Sequence, residues 1–291
     1  MAMKHARDAA VTIGRQDQGA RDMDIGDAAL APGLVEAALD QPVYRDARYE
    51  VRVRDLIAVL GRAGKRVFVV GGAPRDWLVG LPGKDIDLAL DCGVDEALRL
   101  LRDAYPDADA AAVRMRNDRF GVVRWGDPAS GAVDLNILRS WRDIQGSDMW
   151  TTTFVARSDL VEDALMRDFS VNAFYYDCAA QMLLDPLRCG IQDLREKSLR
   201  IIAHPRVLEA SYRMTFRIAQ FLSRGYAPTP NVLEYLERHA DRDIQGMGAR
   251  IRRWTPEQLR VERDQQAAFK GVLYAHARQA ASIETLDAFF A

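Results

Sequence analysis

A glycine pair between a short apolar run and a helix start is the feature that most constrains this chain. The run Val67–Val70 predicts a buried strand, which Gly71 and Gly72 end just before Pro74 and Arg75. Glycines at such a turn let the backbone approach a phosphate closely, and the first turn of the helix adds amide donors. The segment therefore predicts a phosphate-binding elbow, with Arg75 as a cation on it.

Two aspartates follow the elbow at alternating positions. Asp85 and Asp87 alternate with Ile86 and Leu88 after Lys84, which predicts a strand with both carboxylates on one face. Carboxylate pairs of this kind bind one or two Mg²⁺ ions, which bridge phosphates and lower the pKa of an attacking hydroxyl. The elbow and the acid pair, in this order, predict a nucleotidyl-transfer site.

A third acidic residue lies on a predicted hairpin. Two strand-like runs, 119–125 and 132–138, flank the glycine-rich turn 126–131. Asp134 lies in the second run, and its apolar neighbours in sequence are expected to face the core. We predict Asp134 as a third carboxylate of the site, the alternative being a surface aspartate on a hairpin.

The composition favours a globular protein. Of the 291 residues, 48% are hydrophobic and 28% are charged, with a net charge of −2, which suits a chain with a sizeable core. No apolar run approaches the roughly 20 residues that cross a bilayer, and no secretory signal is readable. The three cysteines form no CxxC pair. These features exclude a membrane protein and predict a cytoplasmic protein with reduced thiols.

The pattern of apolar residues predicts an α/β half followed by a mainly helical half. Elements expected from spacing are a helix over 54–64, a helix over about 95–104, the hairpin over 119–138, a helical pattern over 159–176 and mainly helices after 186. Residues before about 30 are polar and aperiodic, which is typical of a loose extension.

Four segments, in order, resemble the class II tRNA nucleotidyltransferase and bacterial poly(A) polymerase family, whose head belongs to the DNA polymerase β-type superfamily. The segments are VVGGAPRDWLVG at 69–80 with KDIDL at 84–88, VDLNILR at 133–139, EDALMRDFSVNA at 162–173, and the stretch 185–200. The resemblance implies an α+β protein: a head with a small mixed or antiparallel sheet and helices, followed by an all-helical neck and an abbreviated body. It divides the chain into a flexible extension (1–33), the head (34–185) and an RNA-binding neck and body (186–291).

The resemblance also implies roles for individual residues. The nucleotide-binding residues expected from it are Gly71, Gly72, Arg75, Arg139, Arg167, Asp168 and Arg213. The implied enzyme is a template-independent nucleotidyltransferase that adds nucleotides, AMP first among them, to an RNA 3′ end. Its expected partners are a tRNA or another RNA and a nucleoside triphosphate, with ATP preferred. Asp85 and Asp87 would bind the Mg²⁺ pair, with Asp134 assisting.

Two motifs depart from the family pattern. Met166 replaces the first of two paired arginines. In the neck helix that reads the incoming base, His204 replaces the aspartate, and the first two arginines become Val207 and Ala210, so that only Arg213 remains. Selection of C and then A is therefore expected to be weakened.

Two alternatives stay open at this point. The first is the same chemistry on a different acceptor, such as a small molecule or a protein hydroxyl, which the short helical part and the altered neck helix suggest. The second is an RNA-binding or regulatory protein that has lost catalysis, against which the acid pair and Arg75 argue.

Overall fold

The computed structural model describes residue 30 and residues 32–48, 50–83, 85–108, 112–127, 131–250 and 261–291. Most of the predicted extension and Lys84 lie outside the described residues. The first described helix begins at Pro32, just inside the segment predicted as an extension.

Helices and strands alternate in the first two thirds of the described chain, and helices dominate the last third. The helices are α1 (Pro32–Leu39), α2 (Val53–Arg62), α3 (Gly72–Leu78), α4 (Val94–Ala104), α5 (Leu160–Ala164), α6 (Gly190–Arg195), α7 (Pro205–Glu209), α8 (Met214–Leu222), α9 (Pro230–Gly248), α10 (Gln266–His276) and α11 (Ala280–Phe290). The strands are β1 (Pro42–Arg45), β2 (Glu50–Arg52), β3 (Val67–Val70), β4 (Asp87–Leu90), β5 (Val113–Asn117), β6 (Val122–Asp127), β7 (Gly131–Ile137), β8 (Tyr175–Asp177), β9 (Met182–Leu184), β10 (Ser198–Leu199) and β11 (Ala227–Pro228).

A seven-stranded mixed sheet in the order β5-β6-β7-β4-β3-β8-β9 organises the first part. Its strands β4 and β7 run parallel, and the other neighbours run antiparallel. The predicted α+β class is therefore confirmed. The register pairs Val70 with Asp87, and Asp87 with Asp134, so the elbow strand and both acidic strands lie side by side.

The two faces of this sheet pack against different cores. Val69, Leu88 and Leu135 face the core that α2 and α4 complete. Phe68 and Tyr175 face a smaller core on the opposite side, together with residues of α5. Because side chains alternate along a strand, Asp87 and Asp134 share this second face, at the end that the smaller core leaves uncovered.

The predicted helical pattern over 159–176 is wrong for most of that range. Helix α5 ends at Ala164, a single 3₁₀ turn covers Ser170–Asn172, and β8 begins at Tyr175. The backbone groups of this segment bond to residues 200–202 instead of continuing the helix: Ser170 N–H donates to the Arg200 carbonyl, and Ile202 N–H donates to the Asp168 carbonyl. Tertiary pairing overrides the local helical preference here.

The predicted strand over 85–90 is shorter than expected. It begins at Asp87, and Asp85 lies in the bend before it.

The hairpin prediction is confirmed, since β6 and β7 pair antiparallel.

The helical part joins the sheet through α8. Met214, Ile218 and Phe221 of α8 pack into the large core beneath the sheet. Phe216 and Ala219 of the same helix pack into a second helical core, whose buried members also include Ile244, Met247, Phe269, Leu273, Leu286 and Phe289. The large core includes buried residues from both parts of the chain, from Val35 to Leu236. The division into 34–185 and 186–291 stays a proposal.

No described helix combines the length and the apolar character needed to cross a membrane.

Candidate active site

The glycine elbow and the second aspartate lie in direct contact. Gly71 has φ +79°, a left-handed conformation that favours glycine. A β-carbon at Gly71 would lie 2.9 Å from Asp87 Oδ2, which is closer than side chains approach one another. The carboxylate of Asp87 therefore occupies the space that Gly71 leaves, and any larger residue at 71 would displace it.

Asp85 lies two residues before Asp87 and is exposed to solvent. Among the described residues, no group of three or more histidine, cysteine or acidic side chains is arranged to hold a metal ion. Two carboxylates nevertheless fit Mg²⁺, because this ion is commonly held by one or two carboxylates with substrate phosphates and water as the remaining ligands. The donor set of Asp85 and Asp87 therefore suits a metal that is completed by a nucleotide.

Asp134 lies beside Asp87 but has a cationic partner of its own. Its two carboxylate oxygens accept from Arg124 Nε and Nη2, both at 2.7 Å. Hydrogen bonding to Asp134 raises the pKa of Arg124, with the charges of Asp85 and Asp87 contributing as well. Asp134 as a third metal ligand stays a prediction, and Arg124 would compete with a metal ion for the oxygens of Asp134.

Sequence reasoning missed Arg124, although a signal for it exists. The antiparallel register that pairs Asp127 with Gly131 also pairs Arg124 with Asp134. Pairing Asp127 with Gly131 in the sequence would have predicted this pair.

The guanidinium group of Arg75 is held beside the elbow by hydrogen bonds. Its Nε and Nη2 donate to Asp76 Oδ1 at 3.0 and 2.8 Å, and its Nη1 donates to Asn172 Oδ1 at 2.6 Å. A β-carbon at Gly72 would lie 3.2 Å from Arg75 Nη2. The guanidinium group is therefore held against the backbone of the elbow.

Asp168 continues this network towards the helical part. Its Oδ1 accepts from Asn172 Nδ2 at 2.8 Å, and its Oδ2 accepts from Arg217 Nε at 2.7 Å. Burial alone would raise the pKa of Asp168, but the charge of Arg217 and these hydrogen bonds hold the pKa below its usual value. Sequence reasoning missed Arg217, which lies 49 residues from Asp168 on α8, and no local pattern indicates the contact.

Arg139 and Arg167 lie in a second, buried cluster. Asp163 accepts from the backbone N–H of Arg139 at 2.8 Å, from Arg167 Nη2 at 2.9 Å and from Tyr175 Oη at 2.6 Å. Burial would raise the pKa of Asp163, but the two arginines lower it below its usual value. The Nε of Arg139 is buried without a hydrogen-bond partner.

This second cluster is hydrogen-bonded separately from the elbow network. Arg139 and Arg167 meet at Asp163, whereas Arg75 and Asp168 meet at Asn172. The predicted nucleotide-binding residues therefore belong to two hydrogen-bonded groups, although Arg167 and Asp168 are neighbours in sequence. Nucleotide binding by Arg139 and Arg167 stays a prediction.

His204 comes directly before α7. Its imidazole stacks on Trp141 with ring centroids 3.7 Å apart and planes 2° apart. Burial lowers the pKa of His204, and the charges of Arg206 and Arg142 lower it further. Arg213 lies at the first turn of α8 and is exposed.

Residues 67–200 match the family described as "Poly A polymerase head domain". Poly(A) polymerase I of Salmonella typhi is 29% identical to this chain over 163 residues, which cover 53% of this chain and 32% of that protein. The multifunctional CCA protein of Xanthomonas campestris pv. campestris (strain B100) is 28% identical over 236 residues, which cover 77% of this chain and 52% of that protein.

Solved structures of CCA-adding enzymes share the fold. The Bacillus stearothermophilus CCA-adding enzyme in complex with CTP superposes with a TM-score of 0.54 at 21% identity, covering 78% of this chain and 52% of that one. A second CCA-adding enzyme, in apo form II, superposes with a TM-score of 0.56 at 17% identity, covering 89% of this chain and 55% of that one.

The chain spans about a third to a half of the length of the curated relatives that it matches.

Proposed function

We propose that this chain transfers nucleotides from a nucleoside triphosphate to the 3′ end of an RNA, because residues 67–200 match the poly(A) polymerase head domain and the relatives of the chain include a poly(A) polymerase and a multifunctional CCA protein. The single observation that carries this proposal is the contact between Asp87 and Gly71. This contact places a carboxylate that can bind a metal ion beside a backbone turn that can bind phosphate. A nucleotidyl-transfer site requires both groups in one place.

In the proposed reaction, the RNA 3′-hydroxyl attacks the α-phosphate of the nucleotide, and pyrophosphate leaves. Asp85 and Asp87 hold Mg²⁺, which when bound supplies charge neutralisation at the phosphates and a lower pKa for the hydroxyl. The glycine elbow binds the phosphates through its backbone, and Arg75 adds a positive charge there that Asp76 and Asn172 hold in place. Because such a displacement needs positioning more than covalent chemistry, these bonds are the main contribution of the chain.

We propose ATP as the preferred nucleotide. ATP is common to the two classes of relative, since poly(A) polymerases add adenylate and a CCA-adding enzyme has been solved in complex with ATP. His204 lies where the sequence resemblance expects an aspartate that reads the base, and burial and the charges of Arg206 and Arg142 lower the pKa of this histidine. We therefore expect preference for one base to be weaker than in an enzyme with the complete motif.

An exposed aromatic residue beside an arginine supports RNA as the acceptor. Trp150 is 44% exposed, and the guanidinium of Arg250 lies 5.8 Å from its ring centroid and 5.4 Å from that of Tyr212. Aromatic side chains stack on bases of single-stranded RNA, and neighbouring arginines bind its phosphates. We propose that this pair, Trp150 and Arg250, contacts the RNA.

The test is extension of a 5′-labelled RNA by the purified protein with Mg²⁺ and each nucleoside triphosphate in turn. We expect the wild type to lengthen the RNA with ATP, and Asp87→Asn to lose about three orders of magnitude in rate, because it removes charge at the reacting phosphates. Asp103→Asn, on the exposed side of α4, is the matched control and is expected to keep the wild-type rate. Near-normal extension by Asp87→Asn would contradict the proposal.

A further inference from the structure

Three arginines surround one buried phenylalanine next to the elbow. The guanidinium carbons of Arg75, Arg217 and Arg224 lie 5.7, 5.5 and 5.5 Å from the ring centroid of Phe221. Because each guanidinium carbon lies this close to the same ring centroid, the distance between any two of these carbons is at most the sum of their distances to the centroid. We call these three residues the arginine cluster.

Two different parts of the chain supply the arginine cluster. Arg75 lies on α3 at the elbow, whereas Arg217 lies on α8 and Arg224 follows its end. Phe221 is 1% exposed and packs against Phe169 with ring centroids 5.0 Å apart, so the platform beneath the cations is rigidly held. The neck helix therefore brings two positive charges to the phosphate-binding elbow of the head.

The positive charges in the arginine cluster repel one another. Burial lowers the pKa of Arg224, and the charges of Arg75 and Arg217 lower it further. Asp76 bonds to Arg75 and Asp168 bonds to Arg217, which balances part of this charge. Like charges held together at a partly buried site are stabilised when an anion binds among them.

Two neighbouring residues of the elbow contact different side chains. Asp87 lies against Gly71, whereas Arg75 Nη2 lies against Gly72, the next residue along the elbow. Arg75 therefore connects the elbow to the other two arginines, because its guanidinium also lies 5.7 Å from the Phe221 ring centroid. A nucleotide with its α-phosphate at Asp87 has two further phosphates, which form the terminal end of the ligand. Guanidinium groups bind phosphate oxygens through two parallel hydrogen bonds, which suits this end of the ligand.

We infer that the arginine cluster is a polyphosphate-binding site, in which Arg217 and Arg224 of the neck bind the terminal phosphates of the nucleoside triphosphate together with Arg75. This inference rests on the proposed function and extends its phosphate site from the head to the neck. Arg224 is a nucleotide-binding residue in this arrangement, and Arg217 also positions Asp168.

The test measures equilibrium binding of ATP, ADP and AMP to the full chain in the presence of Mg²⁺, by isothermal titration calorimetry. We expect the wild type to bind ATP more tightly than AMP. Arg224→Gln is expected to weaken ATP binding at least fivefold and to leave AMP binding within twofold, because only the longer ligand reaches the cluster. Arg224→Lys is expected to restore part of the ATP affinity, since it keeps the charge. Arg238→Gln, an exposed position on α9, is the matched control.

The outcomes separate this inference from the proposed function. An equal loss for ATP and AMP, no change for either ligand, or a wild type that does not prefer ATP to AMP would each overturn the inference. A wild type that extends RNA while Arg224→Gln keeps full ATP affinity would overturn only the inference. A wild type that binds ATP through the arginine cluster but never extends RNA would overturn only the proposed function. Melting temperatures of the variants show whether each one is folded, and inorganic pyrophosphate as a competitor gives a second measure of the same site.

Discussion

At the level of single residues, the ion pair between Arg124 and Asp134 sets the charge beside the predicted metal-binding aspartates. Asp85, Asp87 and Asp134 would together place three negative charges near one another, and Arg124 neutralises one of them. The same principle holds at the elbow, where Arg75 reaches the phosphate site with Asp76 as its partner. The bonding partners of each charged side chain, and not its residue type alone, therefore decide which charges a ligand meets.

We predict that Arg124→Gln increases the affinity for divalent metal. Removing the cation leaves Asp134 available and lessens the positive potential at Asp85 and Asp87, so the half-saturating metal concentration should fall severalfold. Binding of Mn²⁺, followed by electron paramagnetic resonance, measures this without relying on activity. Arg116→Gln, on the neighbouring strand β5, is the control. An unchanged or higher half-saturating concentration would show that Arg124 does not compete with metal.

At the level of elements, one buried carboxylate, that of Asp163, joins three parts of the chain around the sheet. Asp163 of α5 bonds to the backbone following β7, to Arg167 and to Tyr175 of β8. Asp163 is 1% exposed, so its charge is stabilised by these partners rather than by water.

We predict that Asp163→Asn lowers the free energy of unfolding by about 3–5 kcal/mol, the usual cost of removing one partner from a buried ion pair. Arg139 and Arg167 would then remain buried without a counter-charge. Urea denaturation measures the change. Glu234→Gln removes one partner of an exposed pair with Arg238 and is expected to cost less than about 1 kcal/mol. A similar small loss for Asp163→Asn would contradict a structural role for the cluster.

The loop that carries Trp150 gives a prediction for RNA binding. Trp150→Ala removes the exposed ring that we propose as a base-stacking surface, and stacking of one base contributes about 1–3 kcal/mol. Affinity for a labelled single-stranded RNA should fall about tenfold, as measured by fluorescence anisotropy. Met115, on the edge strand β5, is exposed to a similar extent at 43%, so Met115→Ala is the matched control. Equal affinities for both variants would remove Trp150 from the proposed RNA surface.

At the level of the whole molecule, α8 belongs to two cores at once. Met214, Ile218 and Phe221 join it to the core under the sheet, and Phe216 joins it to the helical core. Two of the cations in the arginine cluster are on or next to this helix. The position of α8 therefore couples the stability of the helical part to the candidate site beside the sheet.

We predict that the protein unfolds in a single cooperative transition, because both the core under the sheet and the helical core include residues of α8. Calorimetric and van't Hoff enthalpies should then agree. Phe269→Ala, in the helical core, is expected to lower the stability of that one transition by about 3–5 kcal/mol. Two separate transitions, with only one shifted by the substitution, would show that the cores fold independently.

Features set by residues close together in sequence were predicted, whereas features set by residues far apart in sequence were not. The elbow, the hairpin of β6 and β7, and the α+β class were predicted, because apolar runs and glycine turns set them within a few residues. The helical prediction over 159–176 was wrong, because the backbone there pairs with residues 200–202. Arg217 and Arg224 were missed, because Asp168, which bonds to Arg217, and Arg75, whose charge acts on Arg224, lie far away in sequence.

The amino-acid sequence by itself determined the order of strand, glycine turn, helix and acidic strand, since steric limits on the backbone and alternation of apolar residues act over short distances. Only the tertiary structure decided which charges share one site. Asp87 contacts Gly71 through the register of β3 and β4, and the arginine cluster forms only because α8 packs against the head. Side chains far apart in sequence gain their roles from packing, which no local pattern records.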